Sequence, residues 1–233
     1  MKCLRSARLA VLAVIVGLGW TGCMTSLSRP VPEKSRYVLR LEPPARQVSS
    51  GPTAAVRDDV LRVERVTVTP LFERKGFVYR TPDGYESDFY NEFYASPGVL
   101  LHQALVQWLE GAQIVRKVVG GGTMLAADWL LRVDVEQLYV DARRAEAAEA
   151  RLELSLALFD ARKPATDPVL TSRHALGRPV VVGEAESVTA AWDSLFADAL
   201  VRIESDLRSH FAREVGEPLE ASENLRPRGR ERP

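Results

Sequence analysis

The chain has 233 residues, 46% of them hydrophobic and 27% charged, which suits a domain with a true core and excludes wholesale disorder. Lys plus Arg and Asp plus Glu both count 31, so the broad positive field on which nucleic-acid binding draws is missing and no nucleic-acid partner is expected. Cys3 and Cys23 are the two cysteines and both are N-terminal, which excludes an internal disulfide, a cysteine-ligated zinc and a thiol nucleophile from the body.

Residues 1–22 form a unit of their own, read as a signal segment. Met1 to Arg8 is basic, and Leu9 to Trp20 (LAVLAVIVGLGW) is an apolar run with the length of a secretory core rather than a membrane span. The Trp20-Thr21-Gly22-Cys23 that follows resembles a bacterial lipobox. That resemblance implies cleavage before Cys23, lipidation of its thiol by palmitate-like chains and acylation of its amine; Trp20 departs from the Leu usual at its position. The alternative is an uncleaved anchor over Leu9 to Ser28, which Gly17, Gly19 and Gly22 make a poor span. At about 0.8 kcal/mol per buried methylene, two or three acyl chains would hold the domain at its membrane permanently. Enteric lipoproteins with Asp after the cysteine stay at the inner membrane; Met24 is not Asp, so the outer membrane is mildly favoured, with the domain facing the periplasm. Residues 23–35 read as the lipidated cysteine and a proline-containing tether, the stretch 24–35 reaching at most about 40 Å.

The body, residues 36–213, starts with alternation over Arg36 to Leu41, a predicted strand, followed by a loop from Glu42 to Asp59. Val60 to Thr69 predicts a strand whose apolar parity switches once, between Leu61/Val63 and Val66/Val68, as a bulge or burial on both faces requires. Gly76 to Arg80 can pair after it. Ser96-Pro97 opens a helix that buries Leu101, Leu105, Trp108 and their neighbours and stops at Gly111. Gln113 to Val119 predicts a strand, with a hairpin turn at Gly120 to Gly122. Strands are predicted over 130–140, 151–160 and 168–176; the second alternates from Leu152 to Leu158, leaving Arg151, Glu153 and Ser155 on a wet face. Glu184 to Arg213 carries the longest helical pattern, and residues 214–233 read as a disordered tail. The order of elements predicts an α+β fold, a mostly antiparallel sheet with two helices on one face.

No chemistry-bearing motif rises from this frame. Gly120-Gly121-Gly122-Thr123 lacks the Lys-Ser/Thr of a phosphate loop, and no Gly-x-Ser-x-Gly elbow occurs. His102, His174 and His210 have no metal spacing, so no metal, cofactor or catalytic residue is assigned. A scattered pair of carboxylates remains the open route to catalysis.

One segment is unusual. Positions 72–94 hold Phe72, Phe77, Tyr79, Tyr85, Phe89, Tyr90, Phe93 and Tyr94, 8 of the 17 aromatic residues. Such a concentration suits a partner surface or a groove for an acyl chain; the alternative is that half of the rings plug the core. Within it, Val78-Tyr79-Arg80, Asp88-Phe89-Tyr90-Asn91-Glu92-Phe93, Pro97 and Trp108-Leu109 resemble the ABC-type transport auxiliary lipoprotein family, which includes the PqiC-like proteins, and the likeness runs in order from about 36 to 213. The resemblance implies a non-enzymatic lipoprotein subunit working with a permease, an ATPase and an MCE-domain substrate-binding protein in moving phospholipid or other hydrophobic molecules between membranes. It implies docking of the MCE-domain subunit, for which Tyr79, Arg80, Asp88, Tyr90 and Phe93 are the candidate contact residues, and it leaves self-association open. An envelope assembly lipoprotein unrelated to transport is the alternative.

Overall fold

The protein is represented by a computed structural model that describes residues 33–41, 57–163 and 167–216. The signal segment, Cys23, most of the tether, residues 42–56 of the first loop and the tail after Gly216 lie outside the described residues.

The strand order is β1 (Ser35–Tyr37), β2 (Arg57–Val63), β3 (Thr67–Val68), β4 (Gly76–Thr81), β5 (Gly84–Phe93), then helix α1 (Pro97–Ala112), β6 (Val115–Gly120), β7 (Trp129–Asp141), β8 (Glu149–Asp160), β9 (Leu170–Pro179) and helix α2 (Ala185–Gly216). A short 3-10 turn, Ala145–Ala147, joins β7 to β8. All nine strands share one mixed sheet, giving the expected α+β class. The long antiparallel ladders are β7–β8 and β8–β9, and β4–β5 is a hairpin; the other five pairings are parallel.

β7 is the spine, about 43 Å long at the usual rise. β8 pairs along it from Trp129 to Asp141, so β2, β3 and β4 share its other edge end to end: Leu61 opposite Trp129, Thr67 opposite Asp134, Tyr79 opposite Val140. The parity switch of the second predicted strand has its cause here. Between Val63 opposite Leu131 and Thr67 opposite Asp134 the first partner gains one residue, a bulge that splits the strand into β2 and β3 and keeps both on β7. A second irregularity, at Glu136 of β7, shifts its buried set from Val133 and Val135 to Leu138 and Val140.

Several expected boundaries move. The first strand is only Ser35–Tyr37, because its parallel partner β5 ends at Phe93; beyond it Arg40 donates its backbone N–H to Asp193 of α2 at 2.9 Å. The loop expected to reach Asp59 gives way to β2 at Arg57. Gly111 lies inside α1, and the helix stops at Gln113, whose φ of 50° is left-handed. Ser96 is the extended N-cap residue but makes no side-chain cap bond. The hairpin expected at Gly120–Gly122 is overturned: β6 and β7 both run parallel to β2 on its two sides, so the glycines begin a crossover, Gly122 supplying φ 94°. α2 runs to Gly216, three residues beyond the expected end of the body.

α1 and α2 pack on the sheet and on one another, with the Trp108 indole donating to Glu204 at 2.8 Å across them. The ten α2 residues Val188, Ala191, Trp192, Leu195, Phe196, Ala199, Leu200, Ile203, Leu207 and Phe211 are all buried, opposite Leu152, Leu154, Leu156 and Leu158 of β8. On the opposite face of β8, Arg151 is exposed and Glu153 and Ser155 are half-buried, as the alternation predicts.

Candidate functional site: an aromatic bulge on the β4–β5 arm

The aromatic segment, with no strand predicted past Arg80, folds as β5 and makes a hairpin with β4 around Pro82-Asp83. Pairing is regular from Thr81 opposite Gly84 to Val78 opposite Ser87. It resumes only at Gly76 opposite Glu92, so four residues, Asp88 to Asn91, stand against Phe77 alone. Asp88 shapes this bulge: its Oδ1 accepts from the backbone N–H of Tyr90 (2.8 Å) and Asn91 (3.0 Å), and its Oδ2 from Asn91 Nδ2 (2.9 Å). Asn91 Oδ1 also accepts from the Tyr37 hydroxyl at 3.2 Å. The neck of the bulge leaves no space at Gly76, where a Cβ would stand 2.5 Å from Ser87 Oγ and 2.9 Å from the Asp88 carbonyl.

What the bulge displays is apolar. Phe89 is 66% exposed and Tyr90 46%, their rings edge to face at 5.2 Å. β1 runs alongside, Ser35 opposite Asn91, and brings Lys34 Nζ to 4.5 Å from the Phe89 ring centre. Lys34 and Arg36 both pair with Glu92, at 3.3 and 3.1 Å. Tyr94 and Val38, just past the paired ends of the two strands, are exposed as well.

The five candidate contact residues therefore separate into three places. Asp88 and Tyr90 belong to the bulge, the first as its internal brace and the second on its surface. Tyr79 and Arg80 lie toward the hairpin end, beside Val140 and Asp141 of β7. Tyr79 is half-buried, and burial, with the negative charge of Asp88 and the neighbouring Tyr37 adding to it, pushes its phenol up to about 12. The Arg80 guanidinium lies 5.8 Å from the ring of exposed Tyr85, itself edge-on to Tyr139 and Phe72. Phe93 is only 3% exposed and packs on Phe77 (4.8 Å) and Trp192 (6.4 Å), so it fixes the strand in the core and offers a partner nothing. Sequence reasoning counted Phe89 and Tyr85 in the aromatic segment without placing them among the contact candidates, and did not single out Lys34. The signal for Phe89 was present: adjacent aromatics break strand alternation, and an Asp three before an Asn is turn chemistry.

Two other places gather polar side chains, and in both those groups are already paired. A shallow pocket of about 450 Å³ on the sheet is lined by Glu64, Leu130, Arg132, Phe159, Asp160 and Lys163, where Arg132 pairs with Glu64 and Lys163 with Asp160. Ser172, His174 and Asp206 meet between β9 and α2, but both the hydroxyl and His174 Nε2 (2.7 Å) go to the same oxygen, Asp206 Oδ2. The imidazole does not stand between serine and carboxylate, as a nucleophile relay requires. Among the described residues no group of three metal-ligating side chains converges, and no helix is long and apolar enough to cross a membrane.

Comparison with known proteins agrees with the fold and names the family. The chain is similar to the DUF330 protein XCC0632 of Xanthomonas campestris, with 15% identity and a TM-score of 0.66 over 78% of this chain and 99% of that one. It is similar also to the crystal structure of an uncharacterized protein, with 18% identity and a TM-score of 0.57 over 75% and 99%. No curated protein matches it. The family model of the ABC-type transport auxiliary lipoprotein component matches residues 37–204, most of the folded body including the whole β4–β5 arm, and the chain belongs to that family.

Proposed function

We propose that this chain is a non-catalytic accessory lipoprotein of an MCE-type ABC transport system. Anchored through Cys23 and facing the periplasm, with the outer membrane favoured, it docks the MCE-domain subunit while a permease and an ATPase supply translocation and energy. The cargo is phospholipid or another hydrophobic molecule moving between membranes. The observation that carries this reading is the family match over 37–204, downstream of a Trp20 to Cys23 segment that resembles a lipobox.

The hairpin end supplies the docking contact in this reading. Arg80 has no ion-pair partner among the described residues, and it stands over Tyr85. Arg and Tyr are the side chains that carry interface energy when a partner desolvates them, so each truncation to Ala is expected to cost about 2 kcal/mol of binding, roughly thirtyfold.

The test is affinity purification of the tagged full-length protein from native membranes, with Cys23→Ala, Arg80→Ala and Tyr85→Ala strains alongside. Recovery of an MCE-domain protein with permease and ATPase, weakened by the two hairpin substitutions, is the expected outcome. Recovery of unrelated envelope proteins would instead favour an assembly role.

A further inference from the structure

We propose that the Asp88 to Asn91 bulge is a membrane-interface contact, which seats its aromatic pair in the headgroup layer of the membrane that holds the chain. The inference rests on the anchoring of Cys23, and it concerns a different part of the arm from the Arg80 and Tyr85 docking contact.

Position argues first. The tether enters the domain at β1, and β1 pairs with the bulge itself, Ser35 opposite Asn91 and Arg36 opposite Glu92. Residues 24–35 allow at most about 40 Å of reach from Cys23. A weak contact suffices at such a spacing, because a short tether holds the two surfaces at a high effective concentration. The bulge thus lies directly beside the strand through which an acyl anchor would pull.

Composition argues next. Tyr90 and Tyr94 are rings of the kind that collect at membrane–water boundaries, and Phe89 and Val38 add exposed apolar surface beside them. Lys34 over Phe89, Arg36, and Lys75, whose Nζ donates to the Tyr94 carbonyl at 2.9 Å, place ammonium and guanidinium groups beside those rings. Cations with apolar stems next to aromatic residues suit an anionic headgroup layer. Asp88 spends its carboxylate on the internal bonds of the bulge, and Glu92 is covered by Lys34 and Arg36. Glu92 is thus offset by two cations, and the Asp88 carboxylate, still charged, is directed to bonds inside the bulge where the rings project.

The full-length protein, extracted in detergent and reconstituted into vesicles of phosphatidylethanolamine and phosphatidylglycerol, provides the test. Cleavage before Cys23 removes Trp20, and Trp108, Trp129 and Trp192 are buried, so Phe89→Trp places a surface indole against a quiet background. Thr171→Trp on the exposed β9 strand is the control, and Tyr90→Trp is a second reporter in case Phe89→Trp does not fold. Each is read as its difference from the unsubstituted chain. The expected result is a blue shift at position 89 and quenching by lipids brominated in their acyl chains, with neither at position 171. Absence of quenching at both 89 and 90, or equal quenching at 171, overturns the proposal. A shift at 89 that requires co-purified protein also overturns it and makes the bulge a protein contact. The intact mass of the same sample reports acylation of Cys23 separately, so failure of the anchor and failure of the contact are told apart.

Discussion

Gly76 and Asp88 between them decide whether the bulge exists. A methyl group at position 76 would press on the Asp88 carbonyl at 2.9 Å, a backbone atom that cannot rotate away. Gly76→Ala is accordingly expected to lower stability by about 1–3 kcal/mol, visible as a lower urea midpoint at unchanged slope. Asp88→Ala strips three hydrogen bonds from the bulge and should speed amide exchange at Tyr90 and Asn91 with little change in the core, whereas Asp88→Asn keeps an acceptor at Oδ1 and should restore much of the protection. At this scale the sequence was half legible. The concentration of rings over 72–94 marked the segment, but burial divides Phe93 from Phe89, four positions apart, and a bulge of several residues destroys the alternation by which such a division would be read. Asp88 was a contact candidate because it opens the family-like run Asp88 to Phe93; its bonds are internal.

Among elements, the most legible was the most amphipathic. The ten apolar α2 residues from Val188 to Phe211 that carry its helical period are all buried, since a helix of 32 residues on one sheet keeps a single stripe in contact throughout. Leu207→Ala, at a position with no exposure, should cost about 2–5 kcal/mol in chemical denaturation, while Arg202→Ala on the exposed side should change stability by less than about 0.5 kcal/mol. The Gly120–Gly122 turn was misread because glycines between two strands have the same local chemistry in a hairpin and in a crossover. The difference lies in β2, about sixty residues earlier, which inserts between β6 and β7. β5 escaped prediction for the reason already visible in its register, and the bulge between β2 and β3 was found because a one-residue insertion leaves a clean change of parity.

Across the whole molecule, one device closes both ends of the β7–β8 ladder. Asp141-Ala142-Arg143 ends β7 and Asp160-Ala161-Arg162 ends β8, and in each the carboxylate accepts from the backbone N–H and the guanidinium of the Arg two residues on. These arginines hold both carboxyls down at about 2, against the opposing effect of burial. A folded-state value below the unfolded one contributes stability that is complete above the ordinary carboxylate range and is lost as pH falls through the folded value. Unfolding by acid is therefore expected to set in below about pH 4 and to advance toward pH 2. Arg162→Ala should start it at higher pH in a circular dichroism titration, and should also remove the guanidinium from its place 4.6 Å from the Trp129 ring. The end-to-end sharing of one β7 edge by β2, β3 and β4 reaches further, into the order of events during synthesis. Those strands precede β7 in the chain, so their three parallel pairings with it have no template until β7 has followed them. The meander β7–β8–β9 can form from neighbours in sequence, and the earlier strands then close on it over long loops, the slow class of step. Until that moment the β7-facing edges of β2, β3 and β4 have no partner, and those edges are where a holdase would act.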